Sequence, residues 1–113
     1  MQAEPVMIYV AGPISADPIG GARKAISIAS ELLRMGFTPF VPHLAILWEL
    51  MFPLEYEEWM AYDLAWLRKC DVLFRVEGKS PGADREVALA KSLGKPVFFS
   101  TDEARTWFEA KRA

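Results

Sequence analysis

Short apolar runs alternate with amphipathic stretches along this chain, and that alternation predicts strands interleaved with helices. Residues 6–11 (VMIYVA) form a β-rich apolar run closed by Gly12-Pro13, which reads as a buried strand followed by a loop. Residues 22–35 follow Gly20-Gly21 and put Ala25, Ile26, Ala29, Leu32 and Leu33 on one helical face. Arg23, Lys24, Ser27, Glu31 and Arg34 lie opposite, and Gly36 is a natural stop. Residues 37–41 (FTPFV) read as a second strand, with Pro39 suited to a sheet edge because it lacks a ladder donor. Residues 44–52 are apolar and aromatic without a clear period, so they are expected to be loop or short helix.

The second half continues the alternation. Residues 55–69 predict a helix with Glu55, Glu57 and Glu58 at its positive end and Arg68 and Lys69 at its negative end. Residues 71–76 (DVLFRV) are a third strand, 83–93 a helix stopped by Gly94, and 96–99 (PVFF) a fourth strand. Ser100 and Glu103 have capping-box spacing before a last helix reaching about residue 111. Such an order implies an α/β domain with a parallel sheet covered on both faces. With no internal repeat, low-complexity tract or linker, residues 1–113 are expected to form a single domain.

Composition narrows the class. The chain has 113 residues, 52% hydrophobic and 25% charged, enough for a core without staples. Cys70 is the only cysteine, which excludes an internal disulfide or a cysteine metal cluster and fits a reducing, cytoplasmic setting. No window approaches the length of a membrane span, and residues 1–5 do not resemble a leader, so a soluble protein with no membrane partner is expected. A net charge of -2 argues against a nucleic-acid polymer as partner.

Candidate chemistry comes from two carboxylates on apolar helical faces. At about 100° per residue, Glu86 falls among Ala83, Val87, Leu89, Ala90 and Leu93, while Asp84, Arg85 and Lys91 lie opposite. Glu86 is thus expected to face the sheet from the first turn of its helix, beyond the carboxyl end of the third strand, where open α/β sheets bind ligands. Asp63 lies within the arc of Tyr56, Trp59, Tyr62, Trp66, Leu67 and Cys70. An inward carboxylate is costly unless hydrogen-bonded, paired or protonated. The structural alternative is that Glu86 accepts loop N–H groups and that Asp63 pairs with Arg23, Arg75 or Arg85.

Two glycine loops, residues 12–21 and 78–82, add backbone N–H groups at helix starts, where anions bind. Neither carries a P-loop or dinucleotide fingerprint. Ser80 offers a hydroxyl to a phosphate or sugar; its alternative is an exposed turn. His43 is read as a loop residue and Cys70 as packed. The aromatics Trp48, Phe52, Tyr56, Trp59, Tyr62 and Trp66 suit core, a subunit interface or a base-stacking wall.

The strand-loop Ile8-Tyr9-Val10-Ala11-Gly12-Pro13, the stretch Asp63-Leu64 to Cys70-Asp71, and Ser80-Pro81-Gly82-Ala83-Asp84-Arg85-Glu86 with Ala90 and Gly94-Lys95-Pro96 resemble the nucleoside 2-deoxyribosyltransferase superfamily over nearly the whole chain. The resemblance implies a flavodoxin-like (Rossmann-like) sheet of four to five strands with helices on both faces. It also implies N-glycosidic cleavage or transfer on a nucleoside or nucleoside 5'-monophosphate, with no cofactor or metal and as a homodimer or larger homo-oligomer. Glu86 matches the family's nucleophile, Asp63 the aspartate at the departing base, and Tyr9 a tyrosine near the nucleophile. Ser80 and the short length match the 2'-deoxynucleoside 5'-monophosphate N-glycosidase branch, whose serine touches the 5'-phosphate. Those hydrolases carry a Gly-Ser-x-Arg type loop where this chain reads Gly12-Pro13-Ile14-Ser15, so the resemblance leaves phosphate contact to Ser15 or Arg23, with Gly12, Pro13 and Gly82 as further binding positions. In the expected mechanism Glu86 is kept ionised by its helix N-terminus and Asp63, desolvated among aromatics, supplies the proton. The alternative is a non-catalytic nucleotide-binding or regulatory module of the same fold.

Overall fold

The computed structural model describes residues 4–112. Its elements run β1 (Met7–Ala11), α1 (Pro18–Met35), β2 (Thr38–Phe40), a 3-10 turn (Pro42–Ala45), α2 (Ile46–Met51), α3 (Tyr56–Lys69), β3 (Val72–Arg75), α4 (Pro81–Ser92), β4 (Val97–Phe98) and α5 (Thr101–Arg112). The four strands among the described residues form one parallel sheet in the order β2-β1-β3-β4. That is the strand order of a flavodoxin-like fold, at the lower end of the expected strand count. Pro39 sits in β2, an edge strand, where a missing donor costs least. No helix among the described residues is long and apolar enough to cross a membrane.

Period-two alternation divides the core into two layers. Ile8 and Val10 of β1 with Val72 and Phe74 of β3 pack against α1 and α5 through Ala25, Leu32, Ala104 and Phe108. Tyr9, Ala11 and Leu73 turn the other way, onto Leu67 of α3 and Ala83 and Ala90 of α4. The second layer holds the inward carboxylates.

Local capping moves the predicted helix starts. Asp17 caps α1, its carboxylate accepting the Gly20 N–H at 3.1 Å with Pro18 in the first position, so the helix begins before the predicted residue 22. Ser80 caps α4 by accepting the Ala83 N–H at 3.1 Å, again with proline first. Because α4 starts at Pro81 rather than 83, Glu86 lies in its second turn and not its first. The apolar face of α1 is also narrower than predicted: Ala25, Ala29 and Leu32 meet the sheet, whereas Ile26 and Leu33 are exposed and Ile28 packs on the core. The aperiodic segment becomes the 3-10 turn and α2. It is tied to α3 by Glu49, whose carboxylate accepts the Trp59 indole N–H at 2.7 Å and the Leu54 N–H at 3.0 Å.

Gly36 closes α1 with φ +117°, and a Cβ there would stand 2.7 Å from the Phe108 ring. Gly36→Ala is expected to cost about 1–3 kcal/mol through backbone strain and the displaced ring. A urea titration reads this as a lower midpoint at unchanged slope; an unchanged midpoint would mean that turn and ring relax freely.

Candidate active site

Tyr9 comes from the centre of β1 and is fully buried, its ring beside Phe40 at 5.5 Å between centroids. Its hydroxyl donates to Oε2 of Glu86, which α4 turns onto the sheet with 5% exposure. Asp63, on α3, is 9% exposed and close enough to raise the proton affinity of both Tyr9 and Glu86. The structure therefore brings Tyr9, Asp63 and Glu86 together on one face of the sheet.

The alternatives considered for these carboxylates are not the contacts they make. Arg75 bonds Asp84 at 3.0 Å, Arg85 bonds Glu57 at 2.8 Å, and Arg23 is exposed on α1, in the opposite layer. Among the described residues no ion pair reaches Asp63. Glu86 takes its hydrogen bond from the Tyr9 phenol and not from a loop N–H.

Burial controls the protonation of the trio. It pushes the Asp63 carboxyl up to about 6. It also pushes Glu86 up to about 7, with the negative field of Asp63 adding to it, while the Tyr9 hydrogen bond and the cations of Arg75 and Arg85 oppose it. Glu86 lies in the second turn of α4, where the field of the helix N-terminus is weaker than in the first. Tyr9 is raised by burial and by the two carboxylates, so its phenol stays a donor. It engages Oε2 of Glu86, and no hydrogen bond reaches the other oxygen among the described residues. Between about pH 6 and 7 the two carboxyl groups share one proton that favours Glu86, and the form with Glu86 ionised and Asp63 protonated is the less populated arrangement of the same pair.

The loops converge on Pro13. Its carbonyl accepts the Nε2–H of His43 at 3.1 Å, a Cβ on Gly21 would collide with that same oxygen, and a Cβ on Gly78 (φ +117°) would lie 2.8 Å from the Pro13 ring. Gly12 leaves β1 beside Val76, and Gly82 lies in the first turn of α4 beneath the Tyr56 hydroxyl and the Met60 sulfur. Ser80 is half-buried at the cap of α4, and its own hydroxyl proton remains free to donate. Ser15 is exposed in the loop before α1.

Two residues here escaped the sequence reading. His43, taken for a loop residue, is 2% exposed in the 3-10 turn, and burial lowers its pKa so that the ring is neutral. Since a carbonyl only accepts, Nε2 carries the proton and Nδ1 is left as a buried acceptor without a partner. Arg75, considered above only as a partner for Asp63, is buried and donates to the carbonyls of Val76 and Gly78 as well as to Asp84, fastening the β3–α4 loop. Their signal was positional: each ends a strand or directly follows one, at the sheet edge where loops meet. Cys70 is packed as expected, its thiol pushed up to about 11 by burial.

Comparison with known proteins adds a family and a fold likeness. No curated protein matches the chain in sequence. Among solved structures it is similar to a 2-desoxiribosyltransferase from Leishmania mexicana, with a TM-score of 0.63 and 20% identity over 82% of this chain and 62% of that one. It is also similar to a 2-deoxyribosyltransferase from Bacillus psychrosaccharolyticus, with a TM-score of 0.53 and 28% identity over 81% of this chain and 69% of that one. The chain thus spans about 62% of the length of the Leishmania protein, and the likeness is one of fold. A family model described as a domain of unknown function, DUF4406, matches residues 6–99, and the chain belongs to that family.

Proposed function

We propose that the chain, acting as a single domain, cleaves or transfers the N-glycosidic bond of a nucleoside or nucleoside 5'-monophosphate. The observation that carries this reading is the meeting of two buried carboxyl groups, Asp63 and Glu86, with the Tyr9 phenol bonded to one of them. The free oxygen of ionised Glu86 attacks the anomeric carbon as the carbon–nitrogen bond breaks, and protonated Asp63 gives its proton to the departing base. Water or an acceptor base then displaces Glu86, returning a proton to Asp63. The solved relatives named as deoxyribosyltransferases support glycosyl chemistry of this general class.

Within that class we favour the monophosphate hydrolase branch, because the Ser80 hydroxyl stands free at the amino end of α4, where a phosphate is well received. The remaining binding positions in the proposal are Gly12, Pro13, Ser15 and Gly82; Arg23, exposed on α1 in the opposite layer, is left out of it. The protein is proposed to work as a homo-oligomer, and in the cytoplasm, which suits a chain whose Cys70 is a free thiol.

The test is release of free base from a panel of ribo- and deoxyribonucleosides and their 5'-monophosphates. Monophosphates are expected to react faster than the bare nucleosides. Exchange seen only with a second base would indicate transfer, and ligand-induced stabilisation without product would favour the binding module. For the active substrate, kcat/KM is expected to follow a bell with its maximum between about pH 6 and 7. Below that window both carboxyl groups are protonated and no nucleophile remains; above it both are ionised and the acid is lost. A profile flat from pH 5 to 8 would exclude the pair as the titrating groups.

A further inference from the structure

The loop between β1 and α1 carries Gly12, Pro13 and Ser15, three of the proposed binding positions, and the chain fastens it at one point. The β1–β3 ladder ends where the Val76 N–H donates to the Ala11 carbonyl at 2.7 Å, and α1 begins only at Pro18. Among the described residues, the one hydrogen bond that reaches residues 12–16 is the 3.1 Å bond from the Nε2–H of His43 to the Pro13 carbonyl. His43 keeps this bond at a cost. Its ring is 2% exposed, and Nδ1 is a buried acceptor with no partner among the described residues. A buried polar atom left unpaired lowers stability, and the Pro13 carbonyl is what the imidazole gains in return. An apolar side chain would fill the same space without the unpaired nitrogen, but it would release the loop.

We propose that His43 is a positioning residue whose Nε2–H holds the β1–α1 loop in the place that receives the sugar phosphate. It follows β2 through Val41 and Pro42, and β2 lies beside β1 in the sheet, so donor and acceptor leave neighbouring strands at the same edge. Packing makes the position exacting. Gly21 and Gly78 both lack room for a Cβ against Pro13, so a shifted Pro13 would press on the start of α1 and on the β3–α4 loop that leads to Ser80. Tyr9, Asp63 and Glu86 stand on β1, α3 and α4 and take no hydrogen bond from His43. Loss of the bond therefore weakens substrate binding and spares the chemical step. This role rests on the glycosidic reading of the site, whereas the tether itself rests on the loop geometry alone.

Three variants separate the donor from the bulk of the ring. His43→Leu removes the donor, His43→Asn offers an amide that ends near the position of Nδ1, and His43→Gln offers one that reaches about as far as Nε2. On the reactive monophosphate, His43→Leu and His43→Asn are expected to raise KM about tenfold or more with kcat within about threefold, and His43→Gln to restore KM to within about threefold of wild type. Amide hydrogen exchange without substrate should be about tenfold faster at residues 14–16 in the first two variants and at the wild-type rate in His43→Gln. Because His43 is the only histidine, long-range proton–nitrogen spectra read its tautomer directly, with the proton expected on Nε2. If His43→Leu fails to fold, the comparison of His43→Asn with His43→Gln carries the test. Equal KM for those two, a fall in kcat at unchanged KM, unchanged exchange in a folded His43→Leu, or a proton on Nδ1 would overturn the proposal. A wild type that releases no base overturns the glycosidic reading and the substrate role with it, and exchange and tautomer then decide the tether.

Discussion

Glu86→Gln is expected to lose about a thousandfold or more of base release while melting at a higher temperature than the wild type at pH 8. The loss follows from removing the nucleophile. The gain follows from linkage: burial raises the folded-state pKa of Glu86 to about 7, from an ordinary value of 4.5. Between those values folded Glu86 binds more protons than unfolded Glu86, so its contribution to stability is greatest below about pH 4.5 and is lost as pH rises through about 7. At pH 8 nearly the full cost of an ionised, buried carboxylate is present, on the order of 3 kcal/mol. Glutamine removes it and still accepts the Tyr9 hydroxyl. Thermal melts of both proteins at pH 5 and pH 8 check this, and the advantage of the variant should shrink at pH 5. A variant that melts lower at both values would mean that Glu86 serves packing instead.

Asp63→Asn is expected to lose about 10²–10⁴-fold in kcat on natural substrates, the usual worth of a positioned general acid. The loss should depend on the leaving group. A sugar carrying a leaving group that departs without a proton, such as a nitrophenolate, should be cleaved by the variant at close to the wild-type rate. The alkaline limb of the pH profile should vanish with the acid that produced it. Equal losses on both substrates would assign Asp63 to folding or binding and not to proton donation.

The fold was legible because its strands are short apolar runs and its helices carry caps and charges at the expected ends. Glu86 and Asp63 stood out because helical projection needs only the period, which survives an error of a few residues in a helix start. The proton affinity of Glu86 was not legible, because it is set chiefly by burial, which a helical projection does not measure. No period marks a three-dimensional hydrogen bond, so the tie from Glu49 to Trp59, which folds residues 46–51 into α2, was invisible along the chain. The same holds for His43, whose carbonyl partner Pro13 is thirty residues away. Tyr9 was singled out by resemblance alone. Its strand is apolar on both faces, so alternation gives no reason to prefer it to its neighbours.

The division of the sheet into two layers separates stability from chemistry as targets for protein engineering. Substitutions that fill or rigidify the layer between the sheet and α1 and α5 act on Ala29, Leu32, Ala104 and Phe108 of the two helices, with the sheet between them and Tyr9, Asp63 and Glu86. Effects at sites so separated tend to add. A thermostable version of this protein can therefore be sought by redesigning one side of the sheet, leaving the carboxylates' surroundings untouched and free for a separate search over substrates.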